Sequence, residues 1–146
     1  MGSNLKYGDL TEKIIGCAMT VHKKMGPGYN EVIYSRCLAI EFDKAELKYQ
    51  REFEWPVFYD ETVVGKRRVD FFVEEKISVE IKAIHELSNK ELAQGLNYLE
   101  SHKLGIGLLL NFGAKSLQFK RLINEKKLLQ HQSPDNPIQN PVNPRL

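Results

Sequence analysis

The 146-residue chain has little cysteine, little proline, no long apolar run and no excess of one charge. Its two cysteines, Cys17 and Cys37, sit among apolar neighbours in helix-like patterns, and no Cys/His cluster has zinc spacing. That excludes a disulfide-stapled scaffold and a zinc finger, and reads as buried free thiols in a reducing cytosol. No apolar run reaches the ~18 residues of a membrane span, and the N-terminus carries no apolar signal core. The expectation is a cytoplasmic protein without a membrane partner. Lys and Arg number 21 against 19 Asp and Glu, a net charge of +2, so bulk electrostatics do not declare a nucleic-acid binder. The basic runs Lys66-Arg67-Arg68, Lys120-Arg121 and Lys126-Lys127 read singly as solvated surface. Prolines are scarce until Gln130, after which four of the six occur among Asn and Gln with almost no apolar mass. Residues 1–129 are therefore expected to form one domain with one core, and 130–146 a flexible tail whose removal from 133 onward leaves folding nearly unchanged.

What is present is periodicity. Ile14, Ala18, Val21 and Met25 mark a helix over 9–26, with Asp9 and Glu12 as its capping box. Gly26-Pro27-Gly28 breaks the chain. A second helix over 29–45 turns Val32, Ile33, Cys37, Leu38, Ile40 and Phe42 toward a core. The period then drops to two. Strands are expected over 49–59 (an edge strand or bulge, given Pro56), over 62–73 with a bend at Gly65, and over 77–84. Ser88 and Glu91 cap a helix reaching about residue 102. The continuously apolar 104–112 reads as a buried strand, and 116–123 as a last one. The order α-α-β-β-β-α-β-β suits an α/β (α+β) domain, a mixed central sheet with helices on both faces.

Two of these strands carry acids. Val69, Phe71 and Val73 in one, and Ile77, Val79, Ile81 and Ala83 in the next, must share a face if the pair is half-buried. A three-residue turn at Glu74-Glu75-Lys76 satisfies this with opposed numbers summing to 150. Asp70 then faces Glu80, and Arg68 faces Lys82. Opposed carboxylates destabilise a sheet, and three things relieve them: a proton on one acid, neutralisation by Lys82 and Arg68, or a bridging divalent cation. The second is an ordinary surface charge ladder. Phe72 and Ile84 on the same face argue that this face is covered. Covered Asp70 and Glu80 are hard oxygen ligands suited to Mg²⁺ or Mn²⁺, which can polarise a phosphoryl oxygen, with Lys82 placed to orient or activate a water.

These residues resemble a known family. Asp70, the hairpin turn and Glu80-Ile81-Lys82 resemble the signature of the PD-(D/E)XK nuclease superfamily, although Val69 stands where a proline gives the motif its first letter. Gly28, Glu31 and Tyr34 match the pattern of the GxxExxY proteins, and Gln94 with Tyr98 matches the Q-x-x-x-Y helix of exonuclease-type members. The resemblance spans roughly residues 9–123. It implies a PD-(D/E)XK nuclease-like core and a Mg²⁺- or Mn²⁺-dependent hydrolase acting on phosphodiester bonds of nucleic acid, with DNA the expected polymer. Asp70 and Glu80 would hold the metal, Lys82 serve the attacking water, and Glu31 and Gln94 assist. Each has a plainer reading: an acid favoured at a helix N-terminus for Glu31, a core residue for Tyr34, a polar helix face for Gln94 and Tyr98. Gln50 and Arg68 either touch nucleic acid or pair with acids. The alternative function is a catalytically silent nucleic-acid-binding or assembly module. If both strands of a duplex are cut, one site per chain calls for a homodimer.

Overall fold

The structure, a computed structural model, describes residues 7–126; the expected tail lies outside them. The elements are α1 (Gly8–Met25), α2 (Glu31–Lys44), β1 (Tyr49–Tyr59), β2 (Thr62–Val73), β3 (Ile77–Lys82), α3 (Asn89–Ser101), β4 (Ile106–Asn111) and β5 (Gln118–Ile123). They follow the order expected from the periodicity. The strands form one mixed sheet in the order β1-β2-β3-β4-β5. Only β3 and β4 run parallel, which is why the helix α3 intervenes between them. No helix of the described residues is long and apolar enough to cross a membrane.

Local chemistry explains the joins. The β1–β2 hairpin closes through Asp60 and Glu61, both at positive φ (49° and 67°), as a two-residue turn between twisted strands requires. Glu74 and Glu75 also take positive φ, and Lys76 N–H bonds Val73 O at 2.9 Å. This turn sets Phe71 opposite Val79, Phe72 opposite Ser78 and Val73 opposite Ile77, the register that the alternation demands. Ser88 and Glu91 form the expected capping box of α3, with Ser88 N–H donating to Glu91 Oε1 at 2.8 Å. Pro56 lies on the edge strand β1, where a missing N–H costs the sheet little.

Two helical expectations are corrected. Asp9 does not cap α1: the N-cap is Tyr7 in the left-handed region, without a side-chain cap, and Thr11 Oγ1 donates to Gly8 O inside the first turn. In α2 the buried face is Tyr34, Ser35, Leu38 and Phe42, whereas Val32 and Ile40 are exposed. The helix enters from Asn30, whose side chain accepts from Ile33 N–H, and this entry turns Tyr34 rather than Ile33 inward.

The core has two parts, one on each face of the sheet. The larger joins Ile14, Ala18 and Val21 of α1 and Tyr34, Leu38 and Phe42 of α2 to Phe71, Val73, Val79, Ile81, Ile106, Leu108 and Leu110. The smaller joins Val69 and Phe72 to Tyr98 of α3, with Phe53, Trp55 and Leu104 around them. Val69 was expected on the face of Phe71, and it is not there. In β1 the same reversal occurs: Arg51 bonds Ser35 of α2, but Phe53 packs on Phe72 under α3. The ladder between β1 and β2 omits Glu52 and Asp70 alone between Arg51↔Phe71 and Phe53↔Val69, and Glu52 has φ 54°. One left-handed residue breaks the period-two alternation in both strands at once. The break falls at Asp70.

Candidate active site

Beyond the break, β2 and β3 part. Their ladder ends at Phe71↔Val79. By its register the next bond to Ile81 N–H would come from Val69; instead Asp70 Oδ2 accepts it at 2.7 Å. A carboxylate thus replaces a backbone carbonyl where the strands diverge. One Asp70 oxygen is thereby fixed at the point of divergence. Glu80 is the neighbour of Ile81 on β3, and Lys82 follows at the strand end.

The far side of β3 is locked. Lys82 pairs with Asn111 of β4, and Phe112 N–H bonds Lys82 O at 2.8 Å. Asn111 is fully buried. Its amide donates to Ile84 O and to Gln118 Oε1, both at 3.0 Å, and its Oδ1 accepts from Ile84 N–H (2.9 Å) and Gly113 N–H (3.1 Å). A Cβ at Gly113 would lie 2.4 Å from Ile84 O, so only glycine lets this loop close on the chain after Lys82. Asn111 was missed in the sequence; the signal was a lone amide ending an otherwise apolar strand.

Glu31 arrives from the other helix layer. Gly28 holds φ 118°, a conformation that favours glycine, in the loop before α2. Tyr34, fully buried, donates to Gly26 O, accepts from Tyr29 N–H at 3.2 Å, and stacks on Phe112 at 4.7 Å. Gly28 shapes the loop, Tyr34 clamps it to the sheet, and the first residue of α2 is Glu31. The Ala83 N–H and the charge of Lys82 both act on the Glu31 carboxylate, which places it over the end of β3. Tyr34→Phe should cost ~1–3 kcal/mol of stability by leaving Gly26 O and Tyr29 N–H without their partner, which urea unfolding would measure.

The electrostatics join the four charges. Burial raises the Asp70 carboxyl above its ordinary range, partly offset by the Ile81 N–H, Arg68 and Lys82. Burial also raises Glu80, with Lys82 lowering it and Asp70 raising it further. Glu31 is raised by burial, lowered by Lys82 and raised by Asp70. Lys82 has no carboxylate at ion-pair distance among the described residues. One lysine thus stands among three acids without being committed to any.

The other sequence candidates are distributed less tightly. Tyr98 is buried against Val69 and Phe72, with its hydroxyl raised by burial and then by Glu80. Gln94, one turn earlier in α3, is exposed. Arg68 does not face Lys82, since the ladder has ended; it is exposed, 3.9 Å from Glu52, and acts on Asp70. Gln50 lies opposite Phe72 beside an open cleft of about 310 Å³ lined with Lys48 and Glu74, on the turn side of the hairpin.

A family model for the PD-(D/E)XK nuclease superfamily matches residues 8–122. The chain belongs to that superfamily. The match takes in every element from α1 to β5 and all the residues of this site. No curated protein and no solved structure matches the chain. Superfamily nucleases generally use divalent metal ions. Among the described residues no group of three or more His, Cys, Asp or Glu side chains is gathered to hold one. The donor set that fits a hard cation is the pair Asp70 and Glu80, two half-buried carboxylates in an acid-rich setting.

Proposed function

We propose that this PD-(D/E)XK protein is a metal-dependent nuclease that hydrolyses phosphodiester bonds in nucleic acid, DNA being the expected polymer, with Asp70 and Glu80 holding Mg²⁺ or Mn²⁺. The observation that carries the reading is the uncommitted Lys82 among Asp70, Glu80 and Glu31 at the point where β2 leaves β3. A purely structural ladder would pair these charges, and a binding surface has no use for two half-buried acids that repel one another. When bound, a hard divalent cation supplies charge stabilisation at the phosphoryl oxygens. Lys82 positions the attacking water and offsets developing negative charge. Glu31, delivered by the loop that Gly28 shapes and Tyr34 clamps, adds a third carboxylate at the strand end, and the exposed Gln94 is available to the substrate. The same loop supports membership of the GxxExxY proteins, since Gly28, Glu31 and Tyr34 each have a distinct part in delivering that acid.

The test is a screen of the full chain against single- and double-stranded DNA and RNA with Mg²⁺, with Mn²⁺ and with a chelator. Cleavage that needs the metal supports the reading, and the preferred polymer names the substrate. Binding without cleavage under every condition would give the lead to a silent binding module.

A further inference from the structure

The run Lys66-Arg67-Arg68 reads as solvated surface, yet its three cations are held differently. Lys66 lies 3.5 Å from Glu54, and Arg68 lies 3.9 Å from Glu52. Arg67 has no carboxylate at ion-pair distance among the described residues. It is nevertheless fixed. Its guanidinium sits 5.0 Å from the centre of the Tyr98 ring, and Nη1 donates to Asn97 Oδ1 at 2.8 Å. Arg67 stands opposite Trp55 in β1, and the reversal at Asp70 is what turns this stretch toward α3.

The floor beneath it is aromatic. Tyr98 packs edge-on to His102 at 4.8 Å, and His102 stacks on Trp55 at 5.5 Å. The His102 imidazole is pushed down to about 4 by burial and then by Arg67, so it adds no charge near neutrality. His102 Nε2 is buried without a hydrogen-bond partner, and the indole N–H of Trp55 acts on the Tyr98 hydroxyl. An orphaned buried polar atom is costly, and His102 Nε2 marks a floor not optimised for stability alone. Glu80 lies on the same side of the sheet, lining a small cavity with Tyr98, and feels the charge of Arg67. Along β2, Arg67 precedes Asp70 by three residues, roughly 10 Å.

A guanidinium seated over an aromatic ring, without a carboxylate at ion-pair distance and on the side of Glu80, matches an incoming phosphate. Its planar fork suits phosphate oxygens, and its prior ordering reduces the entropy lost on binding. We propose that Arg67, seated on Tyr98 and steadied by Asn97, binds a nucleic-acid backbone phosphate flanking the one at Asp70 and Glu80. The inference rests on the nuclease reading and adds to it a residue for substrate binding.

Binding is measured without catalysis: anisotropy of labelled duplex DNA, single-stranded DNA and RNA with the full chain in chelator, over a range of salt. Arg67→Met should weaken binding about tenfold or more. It should also reduce the salt slope on duplex DNA by about 0.9. Arg67→Lys keeps the charge and loses the fork; it should fold, keep the slope and bind several-fold more weakly. Lys44→Met, at the far end of α2, should match wild type. If wild type binds and both Arg67 variants match it in affinity and slope, Arg67 is a packing residue and the inference falls alone. If wild type binds no nucleic acid in any form, the nuclease reading fails and takes the inference with it.

Discussion

Asp70→Asn is expected to melt at a higher temperature than wild type at neutral pH while losing cleavage by more than about 10²-fold. The loss follows from removing one of two cation-binding carboxylates; disturbing only the outer partners of a metal site already costs ~10–100-fold. The gain follows from burial. The folded protein raises the proton affinity of Asp70, and likewise of Glu80 and Glu31. Between the ordinary carboxyl value near ~4 and the raised one, the folded state binds more protons than the unfolded state. Stability therefore falls as pH rises through that interval, and the lost portion stays lost at neutral pH. Asparagine carries no charge to bury, and its Oδ1 can still accept from Ile81 N–H, so the bond that replaces the ladder survives. Melting from pH 4 upward, with and without Mg²⁺, checks both halves. Wild type should gain stability on adding metal by mass action, and Asp70→Asn should not. A variant that melts below wild type at every pH, or still cuts at the wild-type rate, would remove Asp70 from the site.

Much of this arrangement is legible in the sequence. Strand boundaries at 49–59 and 62–73 follow from period two and a two-residue turn, both local properties. The β2–β3 register follows from a three-residue turn and the need to bury one face. The reversal at Glu52 and Asp70 was not legible. A glutamate at φ 54° has no composition signal, because glycine or asparagine is the usual occupant of that region. Its effect is also non-local: it moves Val69 to the α3 face and carries Arg67 with it. The same reversal explains why the sequence drew attention to Arg68, which by simple alternation shares a face with Asp70, rather than to Arg67. Asn111 and Gly113 were hidden for a different reason. Their work is to close one loop on Ala83 and Ile84, a contact between segments some thirty residues apart.

Lys82→Ala should also abolish cleavage, but with the opposite effect on stability. Lys82 is the charge that most lowers the proton affinity of Glu31 and Glu80, and it lowers that of Asp70 after Ile81 N–H and Arg68. Without it, burial and mutual repulsion act on the three acids with less relief, and their carboxyl values rise further. The folded state then holds excess protons over a wider interval, so stability falls further as pH rises above ~4 and is lower than wild type at neutral pH. The backbone at position 82 is held by Phe112 N–H and the β4 ladder, neither of which needs the side chain, so the strand end should keep its shape. Metal affinity should persist, because an ammonium is not a ligand and its removal strengthens the field of the acids. Adding Mg²⁺ should therefore restore more of the melting temperature to Lys82→Ala than it adds to wild type. Two inactive variants displaced in opposite directions in stability cannot both be explained by unfolding. A Lys82→Ala protein that cuts like wild type, or that is more stable than wild type at neutral pH, would show that Lys82 is a surface charge and not part of the site.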